Sequence, residues 1–349
     1  MPMATDNSRK RLLRTLIWGK DKTKKTWWAC KAAEAGYNVI LIDGDDGSTI
    51  TQKLPLEAQE KILIVDAVNS TKAVFARFMA TFMRPGQEFL WDEQEKVSIP
   101  IKTTRKPDHS YIYFCPTKFT ANDVVIIDSW TALAASTQLQ YATEQDIDLT
   151  AIEKEGDQFA LLGFQSRFLD YCLNNLHALP CHVIVIGHET VYEKWEGKGK
   201  DRKMVSSQVQ PISSTGPQGM KLGKHFNDVL HFSKLSDLAY RIDAGGDKDR
   251  SGGSRTLEPK KYDWKEVTPK LLFDAIGSKP TGEECAGAIY IGPGQDLVLA
   301  KSSTTNTQVA QEVKQLSSTP ATETVAAPAQ VLNAPVKSSL LSMMAKKTG

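Results

Sequence analysis

The sequence has no CxxC pair, no fixed-period repeat, almost no net charge and no apolar run near the roughly 18 residues that span a bilayer. Each absence removes a class of protein. Five cysteines, Cys30, Cys115, Cys172, Cys181 and Cys285, are scattered through 349 residues. An odd, dispersed set suits reduced thiols better than a disulfide framework or a structural zinc site. His182 and His188 flank a strand-like run, yet no cysteine or carboxylate pattern joins them into a ligand set. The basic N-terminus lacks the apolar stretch that follows in a secretory signal, so the expectation is a soluble, cytoplasmic protein with no membrane partner.

What is present is ordinary in bulk and uneven in detail. A hydrophobic fraction of 41% and a charged fraction of 24% fit a packed globular core. The length suits one large α/β domain with additions. The net charge of +2 hides a concentration of Arg9, Lys10, Arg11, Arg14, Lys20, Lys22, Lys24, Lys25 and Lys31 near the N-terminus. Polyanion binding is therefore a local question.

Strand and helix signals alternate along the chain. RLLRTLIW (11–18) reads as a strand, GKDKTKKT as a turn, and TWWACKAAEAG as a helix that Gly36 ends. YNVILIDGDDG and KILIVDA are continuous apolar runs ending in acids, the pattern of strands buried on both faces of a parallel sheet. A helix is expected from Thr71 to Met83, capped by Ser70, with Val74, Phe75, Phe78, Met79 and Phe82 at helical spacing. Residues 85–120 read as a β-rich insertion of short antiparallel strands. The alternation resumes with NDVVIIDSW (122–130), a helix from Phe159 to Leu179, and the strand CHVIVIGHE (181–189). Composition makes 193–224 a mobile loop, 241–299 a β-containing extension, and 300–349 a disordered tail ending in the apolar cluster LLSMM, a candidate protein-docking motif. Residues 1–10 read as a flexible start and 11–240 as the core.

The segment Gly19, Lys20, Asp21, Lys22, Thr23, Lys24, Lys25, Thr26 has the spacing of a phosphate-binding P-loop, GxxxxGK[ST], with Lys24 in place of the second glycine. In that pattern backbone amides, here 21–25, curl round phosphate, Lys25 reaches the outer phosphates and the Thr26 hydroxyl binds magnesium. The competing reading is a solvated lysine-rich loop, but the position between a strand and a helix favours the site. A lysine at position 24 is tolerable if its φ stays negative and its side chain faces solvent, with weak affinity or slow turnover as the cost. VVIIDSW delivers Asp128 to a strand end, where it would hold magnesium with Thr26, and Ser129 stands beside it. For activating water the candidates are Asp43, Asp45 and Asp46 after VILI, and Glu189 after IVIGH, with no residue preferred. Gly187 and His188 occupy the position of a strand-end phosphate sensor.

In this order, IWGKDKTKKT, VVIIDSW and HVIVIGHE, the chain resembles the RecA-like P-loop proteins of bacteriophages, including recombinases and single-strand annealing ATPases, over about residues 10–240. The resemblance implies an α/β RecA-like core with a mostly parallel sheet flanked by helices, ATP and Mg2+ as cofactors, and catalysis by Lys25 and Asp128 with Asp43 or Glu189. It implies single-stranded DNA as partner and assembly into a ring or filament in the host cytoplasm. The DNA would follow Lys194, Trp195, Lys198, Lys200, Arg202, Lys203, Lys221 and Lys224, and Arg241, Arg250 or Arg255 would reach a neighbouring subunit's site. Two other readings stay open: a P-loop scaffold that binds DNA without hydrolysis, and a helicase-loader or packaging-type motor.

Overall fold

Continuous β-branched runs generate the central sheet of the protein, seen here in a computed structural model. The described residues are 11–68, 72–147, 149, 155–196, 203–213, 219, 221–236, 239–246 and 252–297. The expected flexible start, the cap Ser70 and the expected tail 300–349 lie outside them.

The chain forms β1 (Arg14–Gly19), α1 (Lys25–Cys30), β2 (Asn38–Asp43), α2 (Leu56–Gln59), β3 (Ile62–Asp66) and α3 (Val74–Phe82). Three short strands follow, β4 (Phe89–Asp92), β5 (Val97–Ile99) and β6 (Tyr111–Phe114). The alternation returns with β7 (Asp123–Asp128), α4 (Trp130–Gln145), α5 (Glu155–Ala178), β8 (His182–Glu196) and β9 (Lys203–Pro211). Last come β10 (Asp228–Lys234), β11 (Tyr240–Asp243), β12 (Gly253–Ser254), β13 (Lys261–Asp263), α6 (Pro269–Ala275) and β14 (Ala288–Ile291).

The larger sheet has the order β13-β11-β10-β1-β8-β7-β2-β3, with β9 on β8 and β12 on β10. From β10 to β3 every neighbouring pair is parallel. The fold is therefore mixed α/β with a mostly parallel central sheet, as the apolar runs predict. Because side chains alternate, Val39, Leu41, Val124, Ile126, Ile184 and Ile186 bury one face with Trp28, Leu272 and Phe273 of α1 and α6. Ile40, Ile42, Val125, Ile127, Val183 and Val185 are buried on the other face. Among the described residues no helix is long and apolar enough to cross a membrane, and all five cysteines are free.

The short strands of 85–120 are antiparallel, as expected, but their sheet gains a fourth member from far along the chain, in the order β14-β6-β4-β5. The apolar spacing on α3 seats Phe78 edge-on against Trp91, at 5.1 Å, and Phe114, at 5.4 Å. The segment 241–299 is thus shared between the two sheets, through β11 and β13 in one and β14 in the other.

Two differences from the sequence reading concern the region after Trp130. Trp130–Gln145 is a full helix, capped by Ser129 Oγ accepting from the Ala132 amide at 3.1 Å. Its buried face includes Ser136, Thr137 and Gln140, which blur the apolar period. Residues 193–224 are not all loop, since β8 continues to Glu196 and pairs antiparallel with β9 as a two-stranded ribbon. Polar residues such as Ser207 and Gln208 mask its alternation.

Gly19 ends β1 at φ 151°, and a Cβ there would run into the carbonyl oxygen of Phe232 on β10. Gly19→Ala is expected to destabilise the fold by at least about 3 kcal/mol, read from urea denaturation midpoints. An effect below about 1 kcal/mol would refute this packing account.

Candidate functional site

The register places Gly19 opposite His188 and Phe232, Asp43 opposite Asp128, and Asp128 opposite Ile186. The ends of β1, β2, β7, β8 and β10 therefore meet at one edge of the parallel sheet. Ligands of open α/β sheets bind outside these carboxyl ends, because the diverging loops leave a crevice there.

Residues 20–24 bend from β1 into α1, which starts at Lys25. The Lys25 side chain is buried and curls back, donating to the carbonyl oxygens of Gly19 at 3.0 Å and Lys20 at 2.7 Å, and to Thr23 Oγ at 3.5 Å. Burial lowers its pKa, opposed first by the charge of Asp128 and then by Asp21, Asp45 and Glu189. A buried ammonium held by neutral oxygens gains strongly from an anion beside it.

The adjacent Thr26 hydroxyl donates to Asp128 Oδ2 at 2.5 Å, joining the loop to the end of β7. Burial raises the Asp128 carboxyl from 3.8 to about 7; the Thr26 bond opposes this, and Asp45 and Asp43 reinforce it. Among the described residues no group of three or more His, Cys, Asp or Glu side chains is arranged to hold a metal ion. One hydroxyl and one carboxylate do fit magnesium, which keeps several waters and takes further oxygens from phosphate. Gly47 leaves this corner open, since a Cβ there would stand 3.3 Å from Asp128 Oδ2 and 3.5 Å from Thr26 Oγ.

The acids after β2 divide into different tasks. Asp43 accepts the amides of Asp45 and Gly47 at 3.1 Å each and of Ser48 at 2.7 Å, so both its oxygens brace the loop. Asp45 Oδ2 meets His188 Nε2 at 2.8 Å, while Asp21 Oδ1 lies 2.5 Å from His188 Nδ1. The hydrogen bond to Asp45 raises the His188 pKa against its partial burial. Asp46 has a left-handed backbone, φ 57°, and is exposed. Glu189 Oε2 meets His231 Nε2 at 2.8 Å, and the His231 ring lies tilted against Trp18 at 4.4 Å. Glu189, Lys20, Asp21, Thr190 and Val191 line a cavity of about 480 Å³ beside the loop.

The sheet edge thus gathers Gly19, Lys25, Thr26, Asp43, Asp128, Gly187, His188 and Glu189. No family model matches the chain, and no curated protein matches it.

The backbone at Lys24 corrects the expectation of negative φ, because φ is 64° and ψ 23°. Lys22 is also left-handed, at φ 59°. The bend from β1 into α1 demands this conformation, at a cost of about 1–2 kcal/mol for a residue other than glycine. His231 was missed as a partner of Glu189, since nothing in its sequence context points to the neighbouring strand.

Of the expected DNA-facing residues, Lys203, Lys221 and Lys224 are exposed, Lys198, Lys200 and Arg202 lie outside the described residues, and so do the side chains of Lys194 and Trp195. Arg241 lies on β11 opposite Ser233 and Asp263. Arg255 follows β12 and is exposed, and Arg250 is outside the described residues.

A carboxyl raised by burial is favoured in its protonated form by folding, so its stabilising contribution is complete below 3.8 and is lost as pH rises through about 7. His188, also raised, loses its contribution in the same direction as pH climbs through its folded value. Asp128→Asn removes only the first effect. In the absence of ligand, the variant's stability relative to wild type should rise by up to about 3 kcal/mol between about pH 5 and pH 8, measured by chemical denaturation at both values. A difference that is independent of pH would show that Asp128 is not held in this way.

Proposed function

We propose that the protein is a RecA-like P-loop protein of bacteriophage type that binds ATP with Mg2+ at Gly19–Thr26 and acts on single-stranded DNA in recombination or annealing. The observation that carries the reading is the Thr26–Asp128 contact of 2.5 Å beside the buried Lys25. Two adjacent residues and a third 102 positions from Thr26 converge where a triphosphate and its metal need a cation, a hydroxyl and a carboxylate.

In this reading the amides of residues 21–25 wrap the phosphates, and Lys25 exchanges its carbonyl partners for β- and γ-phosphate oxygens. Thr26 and Asp128 would hold magnesium, which would supply positive charge against the phosphate oxygens. A cation held there would oppose both the burial and the Asp45 and Asp43 charges that raise Asp128, and so would favour its ionised form. Asp43 is engaged by three amides, which leaves Glu189 better suited to orient an attacking water. His231 would hold the Glu189 carboxylate in place.

The DNA part of the proposal rests on the connectivity of β8. β8 runs without interruption from Gly187 and His188 at the site into the ribbon with β9, where Lys203 is exposed. A shift of Glu189 on γ-phosphate binding or release is transmitted along one strand, and lysines on such a ribbon can track a phosphate backbone. Assembly along DNA as a ring or filament belongs to the same proposal.

Lys25→Ala is expected to weaken ATP–Mg2+ binding at least about 100-fold, measured by calorimetry, because a buried charge-assisted contact is lost. Glu189→Gln should retain binding and reduce phosphate release about 100-fold. Unchanged affinity in Lys25→Ala would sink the nucleotide site. Tight binding by wild type, with no phosphate release whether or not single-stranded DNA is added, would favour the scaffold reading instead.

A further inference from the structure

Lys24 stands at the position of the second P-loop glycine, and its left-handed backbone has no side-chain capping bond to support it. Its ammonium lies instead among aromatic rings. Nζ is 4.6 Å from the Tyr240 ring centroid, 4.7 Å from Trp264 and 5.8 Å from Trp27. All three distances are within the range over which a cation is attracted to the negative face of a ring.

The walls of this cage are held without help from Lys24. Trp27 and Trp264 meet edge-on at 5.1 Å, and Trp264 lies 6.1 Å from Tyr240. The Trp264 amide donates to the Tyr240 carbonyl at 3.3 Å, and Trp28 Nε1 donates to the Val267 carbonyl at 2.6 Å. Lys31 covers Trp27 at 4.5 Å. The segment 240–267 is thereby fixed against α1, and the cage stands at the helix start where Lys24 O accepts the Trp28 amide at 2.9 Å.

We infer that Lys24 is a positioning residue: its caged ammonium pins the left-handed residue immediately before Lys25, and Tyr240 and Trp264 thus belong to the phosphate-loop apparatus. A glycine at position 24 would reach the same φ without strain but would also leave it freely. The lysine accepts local strain and gains an anchor about 240 positions along the chain, so the apparent departure from the motif is a second way of holding the same bend. The loop-ordering part needs no ligand; the consequence for affinity rests on the nucleotide reading above.

The test uses the full chain and the variants Lys24→Met, Lys24→Arg, Lys24→Gly, Trp264→Leu and the double variant Lys24→Met/Trp264→Leu. Amide hydrogen exchange of residues 20–26 is read without nucleotide, and ATP–Mg2+ affinity is read by calorimetry. Lys24→Met, Lys24→Gly and Trp264→Leu should each speed loop exchange about three- to tenfold, the range expected for loss of cation–ring attraction, whereas Lys24→Arg stays within about twofold of wild type. ATP–Mg2+ affinity should fall in parallel, and Trp264→Leu should add less than about twofold once Lys24 is Met. Unchanged loop exchange in Lys24→Met, or a Trp264→Leu effect fully retained in the Lys24→Met background, would overturn the inference. Lys24 is exposed, so its variants carry the test even if Trp264→Leu unfolds. Failure of wild type to bind ATP–Mg2+ would remove the proposed function while the exchange data still decide the cage.

Discussion

Opposite charges buried together at the end of a parallel sheet govern the architecture of this site. Lys25 and Asp128 are each almost fully withdrawn from solvent, and each is shifted toward its neutral form by burial while being drawn back by the other's charge. Neither charge is free of cost, since removing an ion from water carries a penalty of several kcal/mol even after relaxation. The surroundings respond accordingly. Carbonyl oxygens of the β1–α1 loop fold around the lysine, the Thr26 hydroxyl meets the aspartate, and Gly47 keeps a side chain out of the corner between them. A site built this way favours a ligand that brings anionic oxygens to the lysine and a cation to the carboxylate at once.

The neighbouring loops are organised round that centre. Asp43 spends both oxygens on backbone amides and so shapes the turn that carries Asp45 and Gly47. His188 stands between Asp45 and Asp21, touching the loops that follow β2 and β1. Because His188 and Glu189 are consecutive residues of β8, the site and the β8–β9 ribbon share one continuous backbone. On the opposite flank, the segment from β11 to α6 closes on α1 through Trp264, Val267 and Phe273. The phosphate-loop candidate is thus held from both sides by parts of the chain remote in sequence.

Much of this was legible in the residues, for identifiable reasons. Strands buried on both faces, such as NVILID and DVVIID, read as unbroken apolar runs, and their acidic ends mark the sheet edge. The aromatic spacing of α3 and the short strands after it were equally plain, because their partners lie nearby in the chain. α4 was hidden by Ser136, Thr137 and Gln140, whose burial is permitted by partners the sequence does not display, such as the Ala76 amide donating to Ser136 Oγ at 2.9 Å. The β8–β9 ribbon escaped notice since a two-stranded extension has no core face to impose a strict apolar alternation.

Local pattern alone determined the parallel strands, the bend after β1 and the order of its chemically competent residues, because each depends on hydrophobic periodicity or on spacing within a few positions. Tertiary structure alone decided that Thr26 meets Asp128, that Glu189 leans on His231, that β14 completes the second sheet, and that Lys24 lies among Trp27, Tyr240 and Trp264. Apart from Lys24 and Trp27, these pairings join groups tens to hundreds of residues apart, and their geometry follows from strand order and register, which no single segment encodes.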